Sequence, residues 1–136
     1  MLELKELAKK LQGALHTDQV MRTLYATDAS AYREMPLAVA IPETISDIEA
    51  LIHFADEHQV ALIPRTAGTS LAGQVVGSGL VVDVSKFFNR ILEINVEESY
   101  VWVEPGVVRD VLNVELKKQG LFFGPETSTA NRAMIG

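Results

Sequence analysis

Residues 60–74 read Val-Ala-Leu-Ile-Pro-Arg-Thr-Ala-Gly-Thr-Ser-Leu-Ala-Gly-Gln, an apolar run followed by a loop of small residues. We predict that Val60–Ile63 is a buried strand and that the loop Arg65–Gln74 follows it directly. Small side chains allow backbone N–H groups to converge on an oxyanion, and the hydroxyls of Thr69 and Ser70 and one arginine can add to its binding. The stretch therefore predicts a site for a phosphate or a pyrophosphate.

The segment before this stretch supplies a second strand and a helix. Leu37–Ile41 is apolar throughout and ends at Pro42. Ser46-Asp47-Ile48-Glu49 has the spacing of a capping box, which predicts the start of a helix with an apolar face. Strand, helix, strand and glycine-rich loop together predict a βαβ unit that ends in the anion site.

The remaining segments predict a second group of elements. Leu80–Val84 is a strand candidate, and the alternation in Ile91–Val96 and Tyr100–Glu104 predicts a hairpin. Val108–Leu116 has helical spacing, and Leu121–Phe123 is a candidate short strand. The predicted fold class is α+β, with the βαβ unit, a small mixed sheet and flanking helices.

The first part of the chain has weaker signals. Residues 2–12 have the spacing of an amphipathic helix that Gly13 stops, whereas residues 14–36 show neither helical nor strand periodicity. We predict two regions: an N-terminal helix with an irregular lead-in over residues 1–35, and a domain over residues 36–136.

Composition excludes several classes of protein. The 136 residues are 48% apolar and carry a net charge of −6, with twelve Lys and Arg residues scattered along the chain, so we expect no nucleic-acid partner. The chain has no cysteine, which excludes disulfides and thiolate metal sites within it, and His53 and His58 have the wrong spacing for a shared helix face. We expect no metal and a soluble, cytoplasmic protein; peripheral membrane attachment remains open.

The two commonest nucleotide-binding motifs do not match the loop. Gly68 and Gly73 have the spacing of a Walker A loop, but Gln74-Val75 stands where that motif requires Lys and Ser or Thr. A Rossmann G-x-G-x-x-G is also missing, since Gly77-Ser-Gly79 leads into a strand.

Three ordered motifs carry a resemblance to a known family. They are Pro64–Gly73, Val103-Glu-Pro-Gly-Val107 and Gly124-Pro-Glu-Thr-Ser-Thr-Ala-Asn-Arg-Ala-Met-Ile-Gly136. Together they resemble the FAD-binding domain of the p-cresol methylhydroxylase (PCMH) and vanillyl-alcohol oxidase superfamily, and within it the FAD-linked D-lactate and glycolate dehydrogenase branch. The resemblance implies that residues 36–136 are the N-terminal part of a PCMH-type domain.

The resemblance also implies a cofactor site. The loop would hold the FAD pyrophosphate, and the later motif would approach the ribityl chain and the flavin ring. Family members that attach FAD covalently carry His where this chain has Thr69, so we expect non-covalent FAD. The residues assigned to the cofactor are Arg65, Thr66, Ala67, Gly68, Thr69, Ser70, Leu71, Gln74, Pro125, Thr127, Ser128, Ile135 and Gly136.

The activity implied is oxidation of a 2-hydroxy acid such as D-lactate or glycolate by hydride transfer to FAD. The abrupt apolar end leads us to expect a fragment that is inactive alone. Its catalytic residues, and the iron–sulfur cluster that some similar proteins have, would lie elsewhere. A non-redox module that binds a phosphorylated metabolite, or a structural domain, is the alternative.

Several single residues have two interpretations. Arg65 could contact phosphate or pair with a carboxylate such as Asp83. Tyr25, Asp28 and Tyr32 could support the fold or contact flavin, and Trp102 is expected in the core or at an interface.

Overall fold

Within residues 3–136, which the computed structural model describes, the chain forms two sheets and four helices. The elements are α1 (Leu4–Lys10), β1 (Ala14–His16), α2 (Gln19–Leu24), β2 (Ala38–Ile41), α3 (Ile45–His58), β3 (Leu62–Arg65), β4 (Leu80–Asp83), β5 (Ile91–Asn95), β6 (Tyr100–Val103) and α4 (Arg109–Lys117). The predicted α+β class and the predicted hairpin β5–β6 are confirmed. None of the described helices is long and apolar enough to cross a membrane.

The larger sheet has the strand order β1-β2-β4-β3. Strands β2, β4 and β3 are parallel, and β1 is antiparallel to β2. The predicted unit of β2, α3 and β3 is present, but β4 lies between its two strands. Residues 66–79 are long enough to leave the end of β3 and return to the start of β4. Because β3 and β4 are parallel, Arg65 and Asp83 pair at the edge from which the loop departs.

Two hydrophobic clusters hold the elements together. The first joins the larger sheet to α1 and α3 and is centred on Leu51 and Leu80, which are fully buried. The second joins the hairpin to α4 through Leu112 and Leu116, with Ile135 packed against it. Each sheet thus has its own packed face, and the cofactor loop leaves the first sheet toward the C-terminal segment that packs on the second cluster.

The capping box of helix α3 begins at Thr44, two residues before the predicted box at Ser46. The residue that caps the helix is Thr44, whose side chain accepts the N–H of Asp47, and Asp47 is at the N3 position, the last residue of the observed box. The assignment of the box to Ser46–Glu49 was therefore wrong. Asp47 is 1% exposed and also accepts the N–H groups of Gln12 and Gly13 at 2.8 and 2.9 Å, a long-range role that favours the earlier register.

Two further local predictions differ from the structure. The stretch 14–36 contains β1 and α2, which are too short for periodicity to reveal; β1 is held by its pairing with β2. Leu121–Phe123 is not a strand. Phe123 instead exchanges two hydrogen bonds with the side-chain amide of Asn113, at 2.6 and 3.2 Å, so an amide on α4 replaces a neighbouring strand.

Candidate cofactor-binding site

The loop after β3 presents a row of backbone donors. Among the described residues, the N–H groups of residues 67–71 donate to no protein acceptor. Gly68 and Gly73 have φ values of +66° and +70°, a left-handed conformation that glycine adopts without strain. A loop of this kind provides the converging N–H groups that an oxyanion requires.

The C-terminal segment lies against the start of this loop. The Thr66 hydroxyl donates to the carbonyl oxygen of Gly136 at 2.8 Å, although the two residues are 70 positions apart. Backbone bonds from Ile135 to Val107 at 3.0 Å and from Gly136 to Pro105 at 2.9 Å hold that segment in place. The structure therefore brings Thr66, Ile135 and Gly136 together, three of the residues assigned to the cofactor.

A cleft of about 340 Å³ opens beside the loop. Ala67, Gly68 and Thr69 line it together with Thr129 and Arg132 of the C-terminal segment. Sequence reasoning did not assign Thr129 or Arg132 to the cofactor. The signal was available, because Arg132 is the single cation in the last predicted motif, but no local pattern places it beside the loop.

The loop hydroxyls have different uses. The Ser70 hydroxyl donates to the side-chain oxygen of Gln74, and its oxygen accepts the N–H of Gln74 at 3.3 Å. Ser70 and Gln74 thus close a turn within the loop itself. Thr69 lines the cleft and makes no hydrogen bond with its hydroxyl among the described residues, which leaves it able to donate to a ligand.

Arg65 points to the lead-in segment. Its Nη1 donates to the carbonyl oxygens of Thr27 and Tyr25, at 2.8 and 3.4 Å, and its guanidinium lies 5.0 Å from the centroid of the Tyr25 ring. Within residues 3–136 it forms no ion pair with Asp83. Tyr25 takes that place, since its hydroxyl donates to Asp83 Oδ2. Arg65 still lines the cleft.

Asp28 adds one negative charge to the cleft. Its Oδ1 accepts the N–H of Ser30 at 2.8 Å, and its buried Oδ2 has no partner among the described residues. Burial raises the pKa of Asp28, but hydrogen bonds from Ser30 and the charge of Arg65 outweigh it and lower that pKa overall. The cleft thus has two cations and one carboxylate, a balance that favours an anion.

Of the assigned residues, Arg65, Ala67, Gly68 and Thr69 line this cleft, and the other nine do not. Pro125, Thr127 and Ser128 are exposed, and the Pro125 carbonyl oxygen accepts Arg109 Nε at 3.1 Å. Leu71 is 78% exposed at the tip of the loop. Trp102 is 63% exposed on the hairpin, so it does not lie in the core, and the alternative place at an interface stays a prediction.

A larger cavity of about 640 Å³ lies between α4 and the hairpin. Its walls are mainly apolar, and Glu115 is its one charged lining residue in the part of the chain that the structure describes. A carboxylate and apolar walls disfavour a phosphate. The smaller cleft, which loop residues line together with Arg65 and Arg132, is therefore the better candidate for an anion site.

Comparisons with known proteins agree with this geometry. The model of the family described as FAD binding domain matches residues 36–136. A D-2-hydroxyglutarate dehydrogenase of Pseudomonas putida is 45% identical over 92% of this chain, and glycolate oxidase subunit GlcD of Bacillus subtilis is 34% identical over 85%. The chain spans 13% and 25% of the lengths of these two relatives.

A solved structure of p-cresol methylhydroxylase with bound substrate has a similar fold. It superimposes with a TM-score of 0.79 at 16% identity, over 96% of this chain and 27% of that protein. The predicted PCMH-type fold is thereby confirmed. The lead-in Tyr25–Tyr32 precedes the residues that the family model matches. With its glycine-rich loop and its PCMH-type fold, this chain belongs to the FAD binding domain family, and its cofactor is FAD.

Proposed function

We propose that this chain is the diphosphate-binding part of a flavoenzyme that oxidises a 2-hydroxy acid by hydride transfer to non-covalently bound FAD. The observation that carries the proposal is the row of N–H groups without a protein acceptor at residues 67–71, in a loop whose residues Ala67, Gly68 and Thr69 line a cleft together with Arg132. The names of the two relatives, a D-2-hydroxyglutarate dehydrogenase and a glycolate oxidase subunit, support a substrate with a hydroxyl group next to a carboxylate.

The residues present fit a diphosphate. The N–H groups of Ala67, Gly68 and Thr69 would donate to its oxygens, as would the Thr69 hydroxyl, and Arg132 would neutralise charge from the C-terminal segment. Arg65 would add charge from behind the loop while it keeps its bonds to the lead-in carbonyls. When bound, FAD supplies the hydride acceptor of the reaction.

The second half of the assigned site would contact the other end of the cofactor. Thr66 is bonded to Gly136, so the C-terminal segment would lie beside the diphosphate. We propose that Pro125, Thr127 and Ser128 approach the flavin ring from the exposed turn before Arg132. Their exposure leaves room for a ligand on that side.

The test uses the full-length protein that contains this chain. It should purify yellow, show the absorbance bands of oxidised flavin, and reduce an artificial electron acceptor with a D-2-hydroxy acid as donor. Gly68→Asp should abolish flavin retention, because it places bulk and negative charge among the loop N–H groups, while circular dichroism stays unchanged.

Three outcomes would count against the proposal or a part of it. A colourless wild-type protein that FAD does not affect would exclude the flavoenzyme and leave the phosphometabolite module as the better explanation. Normal flavin content in the Gly68→Asp variant would show that the diphosphate binds elsewhere. Oxidation of other alcohols with no activity on any 2-hydroxy acid would retain FAD but reject the substrate class.

A further inference from the structure

We propose that the lead-in segment Tyr25–Tyr32 is a positioning clamp that holds the loop 66–74 in its diphosphate-binding conformation before FAD binds. This inference rests on the proposed function, because it concerns how the same loop acquires its affinity. The clamp lies outside the residues that the family model matches, which begin at residue 36. Three separate contacts join it to the loop or to the strand that carries the loop.

The first contact fixes the start of the loop. Arg65, the last residue of β3, donates to the carbonyl oxygens of Thr27 and Tyr25 and lies over the Tyr25 ring. The Tyr25 hydroxyl donates to Asp83, the residue paired with Arg65 across β3 and β4. The clamp is thus bonded to the ends of both strands between which the loop runs.

The Tyr25 hydroxyl keeps its proton. Burial, and then the hydrogen bond to Asp83, raise the pKa of Tyr25. The Tyr25 hydroxyl therefore remains a donor to Asp83, which also accepts the N–H of Ser85 at 2.8 Å.

The second contact fixes the middle of the loop. The N–H of Ala29 donates to the carbonyl oxygen of Gly68 at 3.1 Å, which orients the peptide that follows Gly68. Because that carbonyl faces the clamp, the N–H of Thr69 in the same planar peptide is directed the opposite way. A β-carbon on Gly68 would lie 2.5 Å from Arg65 Nη2, so the guanidinium packs directly on the loop.

The third contact lies at the far end of the loop. A β-carbon on Gly73 would lie 2.6 Å from the ring of Tyr32, so the ring rests on the backbone there. Tyr32 is 62% exposed, and its N–H donates to Ser30 Oγ at 3.1 Å. The clamp therefore contacts the loop at its start, its middle and its end.

The three contacts have a consequence for affinity. A loop of small residues loses much conformational entropy when it is ordered, and a loop that a ligand must order binds that ligand more weakly. If the clamp orders the loop during folding, that cost does not fall on binding. Loosening the clamp should then weaken FAD binding without removing any group that touches FAD.

The experiment compares two tyrosines in the full-length apoprotein. Tyr25→Leu removes the hydroxyl bonded to Asp83 and the ring under Arg65. Tyr100→Leu is the matched control, because Tyr100 also donates to a carboxylate, Glu93, at 2.7 Å, but lies on the hairpin. FAD affinity is measured by fluorescence titration, apoprotein stability by thermal unfolding, and loop order by hydrogen exchange of the amides of residues 67–71.

We expect Tyr25→Leu to weaken FAD binding at least about tenfold and to speed exchange of the loop amides in the apoprotein. Tyr25→Phe, which keeps the ring, should recover part of the affinity. Tyr100→Leu should lower the thermal midpoint but leave FAD affinity within about twofold.

Equal FAD affinity in Tyr25→Leu and wild type would overturn the clamp, whatever the loss of thermal stability. If Tyr25→Leu does not fold, Tyr32→Ala decides, since its exposed ring can be removed without a core cavity; unchanged affinity and unchanged loop exchange in that variant would also overturn the proposal. A wild-type apoprotein that binds no FAD would refute the proposed function instead, so the two failures are distinguishable.

Discussion

Replacement of Gly68 by alanine tests the loop geometry with the smallest possible change. Gly68 has φ +66°, and a left-handed conformation costs an L-residue roughly 1–2 kcal/mol. The new β-carbon would also lie 2.5 Å from Arg65 Nη2 and displace the guanidinium from Thr27, whose hydrogen bond to this charged group is worth about 1.5–3 kcal/mol. The combined strain is about 3 kcal/mol if the guanidinium moves only in part.

That strain should mainly weaken FAD binding. The loop of the apoprotein can relax away from the strained conformation, so binding must restore it. Since each 1.4 kcal/mol is a factor of ten, we expect FAD to bind Gly68→Ala roughly a hundredfold more weakly than wild type. Calorimetric titration of the full-length apoprotein with FAD measures this directly.

Gly120 provides a matched control. It has φ +71°, and a β-carbon there would meet nothing within 4 Å. Gly120→Ala should therefore show the same left-handed strain as a loss of stability, with unchanged FAD affinity. If Gly68→Ala binds FAD within about threefold of wild type, or if both variants weaken binding equally, the assigned geometry of the loop is wrong.

Three further predictions concern single residues. Asp47→Asn should destabilise the protein by about 2–3 kcal/mol, since the amide keeps one acceptor oxygen and places an NH2 group against N–H groups that the other carboxylate oxygen accepted. Burial raises the pKa of Asp47, but those N–H groups lower it overall. The carboxylate therefore stabilises the fold in full above about pH 4, and this stabilisation is lost as the pH falls through the lowered pKa. The free energies of unfolding of wild type and variant, measured as a function of pH, should converge in acid. With Thr69 in place of histidine, acid precipitation of the full-length protein should release all flavin into the supernatant, and colour in the pellet would contradict non-covalent binding. Arg132→Met should weaken FAD binding several-fold, and the loss should shrink at high salt; an unchanged dissociation constant at low salt would exclude its contact with the diphosphate.

Much of the fold could be predicted because its signals are local. The hairpin β5–β6 follows from alternation around a short turn, and α3 and α4 follow from helical spacing of apolar residues. The loop at residues 65–74 was found from composition alone, since an anion site built from N–H groups needs small residues. The elements β1 and α2, of three and six residues, have neither a continuous apolar run nor enough positions for a period, and they were missed.

The sequence by itself determined where the phosphate loop lies and which residue types it presents, because both depend on neighbours along the chain. Only the tertiary structure decided what surrounds that loop. The insertion of β4 between β2 and β3, the bond from Thr66 to Gly136 and the position of Arg132 in the cleft beside the loop join segments far apart in sequence. Arg65 shows the difference most clearly: its charge suggested a phosphate or Asp83, but the lead-in carbonyls lie within its reach and bind it. Such contacts depend on which surfaces pack together, and residue spacing does not encode that.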